Sequence, residues 1–554
     1  MNAIKINVIN TKNAIEVDSN LTIEDLVAKI NTGCRYDVIG AKVNNDIKEL
    51  RYIVNDGDNI EFLDVSSADG KRIYKRTVLM VMMRAAREVF PDSKVYVKQS
   101  LSNSLYCDIQ GIGYVTVEHI KQIENRMREI VANGEEIVKD TIPTVDAINL
   151  YKELGFEDKE RLLRYRTMPE TNLYMCGWYK DYFYGFMAPN TSYVKLFRLS
   201  LYSPGFILEL PGSNNHAVLP AYQEEQKLAH IYFDANKWGD TIDVRDIASL
   251  NKAIENNRFK ELVLMSEASH ELSISQIAKE IYESKDRISA VLIAGPSSSG
   301  KTTFSKRLGV QLKVKGLHPV AISMDDYFIN RANCPVDKDG KPDFESVDMI
   351  DIPLFNDHIS RLIQGEQVEI PEFDFIVGSR KSVAGKSLQL KEEDVLVIEG
   401  IHALNDRLTC TVPKWQKYKI YITALTHMNI DDHSIIPATD VRLIRRIVRD
   451  NLYRGSDATF TMSIWNKVKE GEVKNIFPFQ DDADALFNSA TVYELSIMKN
   501  HIEKLLEEID RDNIHYSDAK RLRRFLSYIS SVDEEEAYIP YNSIIREFIG
   551  GSCF

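Results

Sequence analysis

An α/β fold with a parallel sheet in its C-terminal half, preceded by two smaller domains, follows from three features of the 554-residue sequence. The first is a continuous apolar run, Ile288 to Ala294, followed at once by a glycine-rich turn and a helical pattern; short β-branched runs of this kind are buried parallel strands. The second is a pair of further apolar runs, Pro319 to Met324 and Asp394 to Ile398, each followed by a carboxylate. The third is an alternation of apolar and polar residues over the first 65 positions, broken by one helical stretch.

At about 150 residues per domain the length asks for three or four domains. A composition of 44% hydrophobic and 27% charged residues excludes a disordered or collagen-like chain. The formal net charge of -13 disfavours a broad grip on nucleic acid or an anionic membrane, so an anionic ligand needs a dedicated site. Six cysteines (Cys34, Cys107, Cys176, Cys334, Cys410, Cys553) lie scattered without a CxxC pair, against a disulfide framework or zinc knuckle and in keeping with a reducing cytoplasm. The opening residues lack the basic and apolar regions of a signal peptide, and nowhere do 18 apolar residues run together, so neither export nor membrane spanning is expected. The oligomeric state stays open, a homo-oligomer included.

Residues 1–65 read as strand (Ile4 to Val8), turn, strand, helix (Thr22 to Ile30) and short strands ending in Asn59 to Leu63. Thr22 ahead of Glu24 and Asp25 is a helix start. This ββαββ order resembles the β-grasp TGS domain. Residues 66–240 open with a basic run, Lys71 to Arg76, read as a hinge, then an apolar helix from Thr77 to Phe90, strands about Val95 to Val97 and Leu105 to Asp108, and an amphipathic helix from Val117 to Asn133. The layout is similar to the second additional domain of threonyl-tRNA synthetases, an α+β module in which histidine and cysteine hold zinc for editing. No histidine precedes His119, so the resemblance implies the domain without its zinc ligands. The aromatic stretch Tyr174 to Tyr193 is expected to be core or an inter-domain face, and His216, in Gly212-Ser213-Asn214-Asn215-His216, to sit in a solvated turn. Residues 241–284 carry two helical patterns, Val244 to Asn256 and Ser273 to Ser284, and read as a connector.

From 285 to 554 one loop sets the chemistry. Gly295-Pro296-Ser297-Ser298-Ser299-Gly300-Lys301-Thr302-Thr303 holds the full GxxxxGK[ST] spacing between a strand and a helix from Phe304 to Val314. Glycines let the backbone curl so that its N–H groups face phosphate oxygens, and the helix N-terminus adds positive potential. Lys301 reaches the β- and γ-phosphates, and the Thr302 hydroxyl is a ligand for Mg2+; ATP with Mg2+ is therefore the expected ligand. Ligands of open α/β sheets lie at the carboxyl ends of strands. Asp325, at such an end, is placed to accept a proton from an attacking hydroxyl, and Glu399 to serve Mg2+ or its water shell, whereas Asp326 reads as a cap for the next helix. Asp440 to Gly455 crowds five arginines (Arg442, Arg445, Arg446, Arg449, Arg454) onto a helix whose buried stripe is Leu443, Ile447 and Val448. A solvated basic face is the ordinary explanation; beside a phosphate loop, a mobile arginine lid that neutralises γ-phosphoryl charge and excludes water is the expected one.

These residues resemble the uridine kinase/phosphoribulokinase family over about 285–500, which makes 285–554 a P-loop kinase domain. Ser323 to Phe328 is similar to the family's strand-end motif, whose catalytic aspartate falls on Asp325. Val368 to Phe375, with Ser379 and Arg380, is similar to the substrate-side segment, which implies substrate contacts by Phe328, Phe373 and Arg380. Phe344 to Asp348 places the ribose-holding acid at Glu345, and Arg446, Arg449 and Arg454 match the lid. Where uridine kinases carry tyrosine and histidine the chain has Phe373 and Gly378, and where their lid offers arginine and glutamine it has Ser456 and Ile464; hydrogen-bond readout of a base is weakened and stacking remains. The order TGS, synthetase-like domain, kinase domain resembles a multidomain group of bacterial uridine kinase-like proteins. It implies phosphoryl transfer from ATP to the 5′-hydroxyl of a nucleoside, uridine or cytidine first, with Asp325 as base and Lys301, Arg446, Arg449 and Arg454 stabilising charge. Two rivals stay open: another small alcohol or sugar phosphate as acceptor, and an RNA-associated regulator that uses the kinase fold as a nucleotide sensor.

Overall fold

In the computed structural model, which describes residues 3–101, 104–212, 215–220, 226–337, 340–374, 377–381 and 385–554, the alternation of the first strands becomes a five-stranded mixed sheet. Its order is Asn13–Asp18, Ala3–Val8, Asn59–Leu63, Gly40–Val43, Asp46–Lys48, with Ala3–Val8 and Asn59–Leu63 parallel and the other pairs antiparallel. Ile6, Val8, Ile60 and Phe62 pack with Ile23 and Leu26 of the helix Ile23–Lys29. Thr22 and Asp25 form a reciprocal capping box there, satisfying two donors that a helix start leaves open. Ser213, Asn214 and Phe375 lie outside the described residues.

The basic run Lys71–Arg76 is not a hinge. It lies inside a single helix, Ala68–Val89, capped by Ser67. Its two arginines are engaged: Arg72 pairs with Asp69 at 2.6 Å and Asp518 at 3.2 Å, and Arg76 Nε donates to the Phe186 carbonyl at 2.8 Å. The helix packs on Val117–Ala132 and on a four-stranded antiparallel sheet ordered Arg198–Tyr202, Gly205–Glu209, Ser104–Gln110, Lys94–Leu101. A three-stranded sheet, Tyr179–Asp181, Glu170–Cys176, Ile137–Pro143, stands beside it. Arg84 and Glu88, one turn apart on the long helix, pair at 2.8 Å, and Arg84 Nη1 lies 3.2 Å from Cys176 Sγ. The six cysteines are free thiols, and among the described residues no helix is long and apolar enough to cross a membrane.

Tyr174, Tyr179, Tyr182 and Phe183 are buried. Their stretch meets a distant part of the chain: the Tyr184 hydroxyl donates to the Arg521 carbonyl at 2.7 Å. His216 lies in a turn, as expected, between the exposed Asn215 and Ala217, but is half-buried and edge-on to Tyr36 at 5.6 Å. The helices Ile247–Glu255 and Phe259–Glu283 follow. The second starts well before Ser273 because the buried stripe of Leu262, Val263, Ser266 and His270 continues unbroken into Ile274, Ile277 and Ile281.

The C-terminal sheet is five-stranded and parallel, ordered His318–Ser323, Asp394–Glu399, Ala290–Ala294, Lys417–Thr423, Ala485–Asn488. Val291 and Ile293 belong to the core on one face and Ala290, Leu292 and Ala294 to that on the other, as a sheet covered on both sides requires. The helix Tyr516–Leu526 returns to the first sheet: Lys520 Nζ lies 2.8 and 2.9 Å from the Asp46 carboxylate oxygens, and Arg521 pairs with Asp440 at 3.0 Å.

A buried ionic cluster joins the α+β region to the parallel-sheet region. Lys159 pairs with Asp431 at 2.8 Å and Asp181 at 3.7 Å, and His433 Nδ1 sits 2.9 Å from Asp181. Burial pushes the Asp181 carboxyl up, but Lys159 and His433 more than reverse it and hold it at about 2. Lys159→Met leaves buried carboxylates without their cation, a change that costs about 3–5 kcal/mol. Urea unfolding at pH 7 is expected to show that loss; an unchanged midpoint would show the cluster to be idle.

Candidate functional site

The loop between the strand Ala290–Ala294 and the helix Lys301–Val314 turns through two left-handed residues, Ser298 and Gly300, at φ +59° and +84°. Gly300 adopts this region without steric cost. The loop carbonyls find donors in the protein. Arg442 Nη1 donates to the Ser297 carbonyl at 3.1 Å and Arg445 Nη1 to the Ser298 carbonyl at 3.4 Å. Both arginines are buried and both are paired, Arg442 with Glu472 at 2.8 Å and Arg445 with Glu494 at 2.6 Å. Glu472 also accepts from the Ser297 amide at 3.0 Å. Lys301 Nζ lies back on the Gly295 and Pro296 carbonyls at 2.9 and 3.2 Å, and the Thr303 amide and hydroxyl donate to Glu547 at 3.1 and 2.8 Å.

The arginine helix, Ala438–Arg454, therefore departs from the expected lid of free guanidinium groups. Arg442, Arg445 and Arg446 are buried along with Leu443, Ile444, Ile447 and Val448, and the helix is exposed only at its last turn. Its period explains this: arginines at i and i+4 fall on the same faces as the apolar stripe's flanks. Arg446 Nη1 donates to Ser297 Oγ at 2.9 Å. Arg446, Arg449 and Arg454 converge on Asp450 at 3.2, 2.8 and 3.6 Å.

Two carboxylates stand at neighbouring strand ends. Asp325 lies in the tight turn Met324–Tyr327 after His318–Ser323, where burial pushes its carboxyl up against the pull of Lys301, Arg454 and Arg449. Glu399 closes Asp394–Glu399 and accepts from the Thr302 hydroxyl at 3.2 Å. Burial raises it to about 7, with Lys301 opposing and Asp325 and Glu547 adding to the rise. Burial likewise lowers Lys301. Asp326, read as a helix cap, instead lies against the Phe373 backbone.

On the substrate side Phe328 and Phe373 meet edge to face at 5.7 Å. Arg380 donates to the Phe328 and Tyr327 carbonyls at 3.0 and 2.8 Å and to Asp351 at 3.1 Å. These three bonds fasten the segment that carries Arg380 to the turn after His318–Ser323 and to Asp351. The Glu345 carbonyl accepts from Asn475 at 2.8 Å. Burial pushes the Glu345 carboxyl to about 7, while Arg446 pulls it down and Glu472 and Asp343 push it further up. The sequence reading missed Glu472, Glu494, Asp450 and Glu547. Only Asp450 carried a local signal, four residues after Arg446 and four before Arg454.

A cavity of about 470 Å3 lies elsewhere, between the α+β and parallel-sheet regions, with Arg87, Lys94, Asp158, Asp432 and His433 on its walls. No residue of the loop Gly295–Thr303 lines it.

The parallel sheet, the phosphate-type loop and the strand-end acids define a P-loop α/β domain. Residues 290–496 match the Phosphoribulokinase / Uridine kinase family and residues 7–64 the TGS domain, so the chain carries one domain of each kind. The N-terminal region is similar to threonine-tRNA ligases. Identity is 30% over 188 residues with that of Clostridium novyi (strain NT), covering 33% of this chain and 29% of the ligase. It is 24% over 262 residues with that of Janthinobacterium sp. (strain Marseille), covering 44% and 39%. The chain thus spans less than half of either ligase. Among solved structures, that of a possible uridine kinase from Bacillus stearothermophilus is similar at 16% identity and a TM-score of 0.26, covering 38% of this chain and 98% of that one.

A carboxyl at about 7 in the folded chain, against an ordinary 4.5, binds more protons folded than unfolded between those values. Glu345 therefore takes stability away as pH rises from about 4.5 to 7. Glu345→Gln is expected to flatten that part of the stability curve, by up to about 3 kcal/mol, in urea unfolding at pH 5 and 8. A curve superimposable on that of the unmodified protein would remove Glu345 from the strained groups.

Proposed function

We propose that the protein moves the γ-phosphoryl group of ATP to the 5′-hydroxyl of a nucleoside, with uridine or cytidine as the first acceptors. The observation that carries this reading is the meeting of Asp325, raised by burial, with Lys301, Arg449 and Arg454 at the carboxyl end of the sheet. A carboxylate whose pKa is lifted toward neutrality is a better base for a hydroxyl proton than an exposed one. Phosphoryl transfer needs positioning and charge neutralisation more than covalent chemistry. Lys301 and the Arg446, Arg449 and Arg454 group supply the positive charge, and Asp450 holds those arginines in register.

The donor set suits Mg2+. The Thr302 hydroxyl and Glu399 carboxylate lie 3.2 Å apart and would both be oxygen ligands, and a cation would stabilise the Glu399 charge that burial, with Asp325 and Glu547 adding, disfavours. Mg2+ is commonly held by one or two protein oxygens plus substrate phosphates rather than by an all-protein cage. When bound there, it would neutralise charge on the β- and γ-phosphates. Glu345 is the proposed anchor for ribose hydroxyls, and Phe328 with Phe373 the aromatic wall for the base. Gly378, at φ +76° and against the Arg331 side chain, has no side chain with which to read a base edge. Stacking without such readout tolerates several bases.

Incubation with ATP, Mg2+ and each common nucleoside or sugar phosphate tests the reading. Asp325→Asn is expected to lower kcat about a hundredfold or more with little change in KM. Full activity of that variant would remove Asp325 from the chemistry, and turnover of a sugar phosphate but no nucleoside would give the site to the other acceptor.

A further inference from the structure

The loop Gly295–Thr303 already holds an anion, and it is the chain's own. The Glu547 carboxylate accepts from both the amide and the hydroxyl of Thr303, at 3.1 and 2.8 Å. These donors belong to the first turn of the helix Lys301–Val314, and first-turn amides of such a loop are the groups that cradle the α- and β-phosphates. Glu547 also contributes to the negative field at Lys301 and Glu399, which places its charge among the groups that would surround a triphosphate.

The segment that carries Glu547 is anchored beside the loop. Ser543 Oγ donates to Glu267 at 2.6 Å, and Arg546 Nη2 donates to the Glu536 and Ile539 carbonyls at 2.8 and 3.0 Å. Ile544, Ile545, Phe548 and Ile549 are buried. The Arg445 guanidinium lies 5.0 Å from the Phe548 ring, and Ile544 fills the space where a side chain at Gly300 would stand. In the short helix Arg546–Ile549, Glu547 is the one residue not buried.

Two anions cannot share one pair of donors, because like charges at contact distance repel strongly where water is scarce. We infer that Glu547 is an internal competitor of the nucleotide: it takes the Thr303 donors and must swing out before a triphosphate can seat. The inference rests on the nucleotide reading of the loop given above. Its consequence is a tax on affinity, since only molecules with Glu547 turned away can bind. A polyphosphate, with charge for Lys301 as well as Thr303, displaces the carboxylate more readily than a single phosphate does.

Calorimetric titration of the whole protein with ATP and Mg2+ tests it, on the unmodified chain and on Glu547→Gln, Glu547→Asp and Lys301→Ala, with thermal unfolding to check that each folds. Glu547→Gln is expected to bind ATP about tenfold more tightly, as befits the loss of a charge-assisted pair of hydrogen bonds. Glu547→Asp keeps the charge but is one methylene short of Thr303, and is expected to gain a smaller part of that factor. Equal or weaker binding by Glu547→Gln overturns the competitor; if that variant does not fold, equal or weaker binding by Glu547→Asp does so. Should Lys301→Ala lose ATP while Glu547→Gln matches the unmodified protein, the nucleotide reading stands and the competitor alone falls. ATP binding unaffected by Lys301→Ala places the nucleotide elsewhere and overturns both.

Discussion

A loop that aims its amides at a phosphate must aim carbonyls back at the protein, and each buried carbonyl needs a donor. In this chain the donors are Arg442 and Arg445, reaching Ser297 and Ser298 from the arginine helix. A buried arginine in turn needs a carboxylate, since an unpaired charge in the interior costs several kcal/mol. Glu472 and Glu494 supply them, each from a different helix, Ala458–Asn475 and Glu494–Glu507. One backbone curl thus fixes three helices, and with them the place where Arg446, Arg449 and Arg454 stand.

The charged groups of the molecule divide by balance. Around Lys159 the partners close on one another, and Asp181 is driven down to about 2. Around Lys301 the balance is incomplete: Asp325 is raised, and Glu345 and Glu399 reach about 7. The first arrangement clasps Asp181, while Asp432 beside it is raised to about 7 by burial and by Asp158. The second leaves carboxyls on which burial outweighs the pull of the nearby Lys301 and arginines, a condition common at functional sites.

Much of this was legible in the sequence because it is local. The GxxxxGK[ST] spacing, the carboxylates after apolar runs and the Thr22 cap each lie within a few residues of the structure they define. Glu472 and Glu547 were not legible, because they reach Ser297 and Thr303 across 175 and 244 residues. The arginine helix, expected as a lid of free guanidinium groups, was misjudged for a related reason: Arg442 and Arg445 meet their carboxylates only in the folded chain. Lys71 to Arg76 misled in the same way, since Asp518 and the Phe186 carbonyl that receive those cations are remote in sequence.

The contact of Lys520 with Asp46 has a consequence for biosynthesis. The two residues are 474 positions apart, and at ribosomal speeds of about 5–20 residues per second the gap is roughly half a minute to a minute and a half. Over that interval the small N-terminal domain is complete while its docking helix is still unmade. Asp46 does not wait bare, for Lys48 on the same strand lies 2.9 Å away. The nascent domain carries its own temporary counter-ion, and the late helix adds a second cation to a pair already formed.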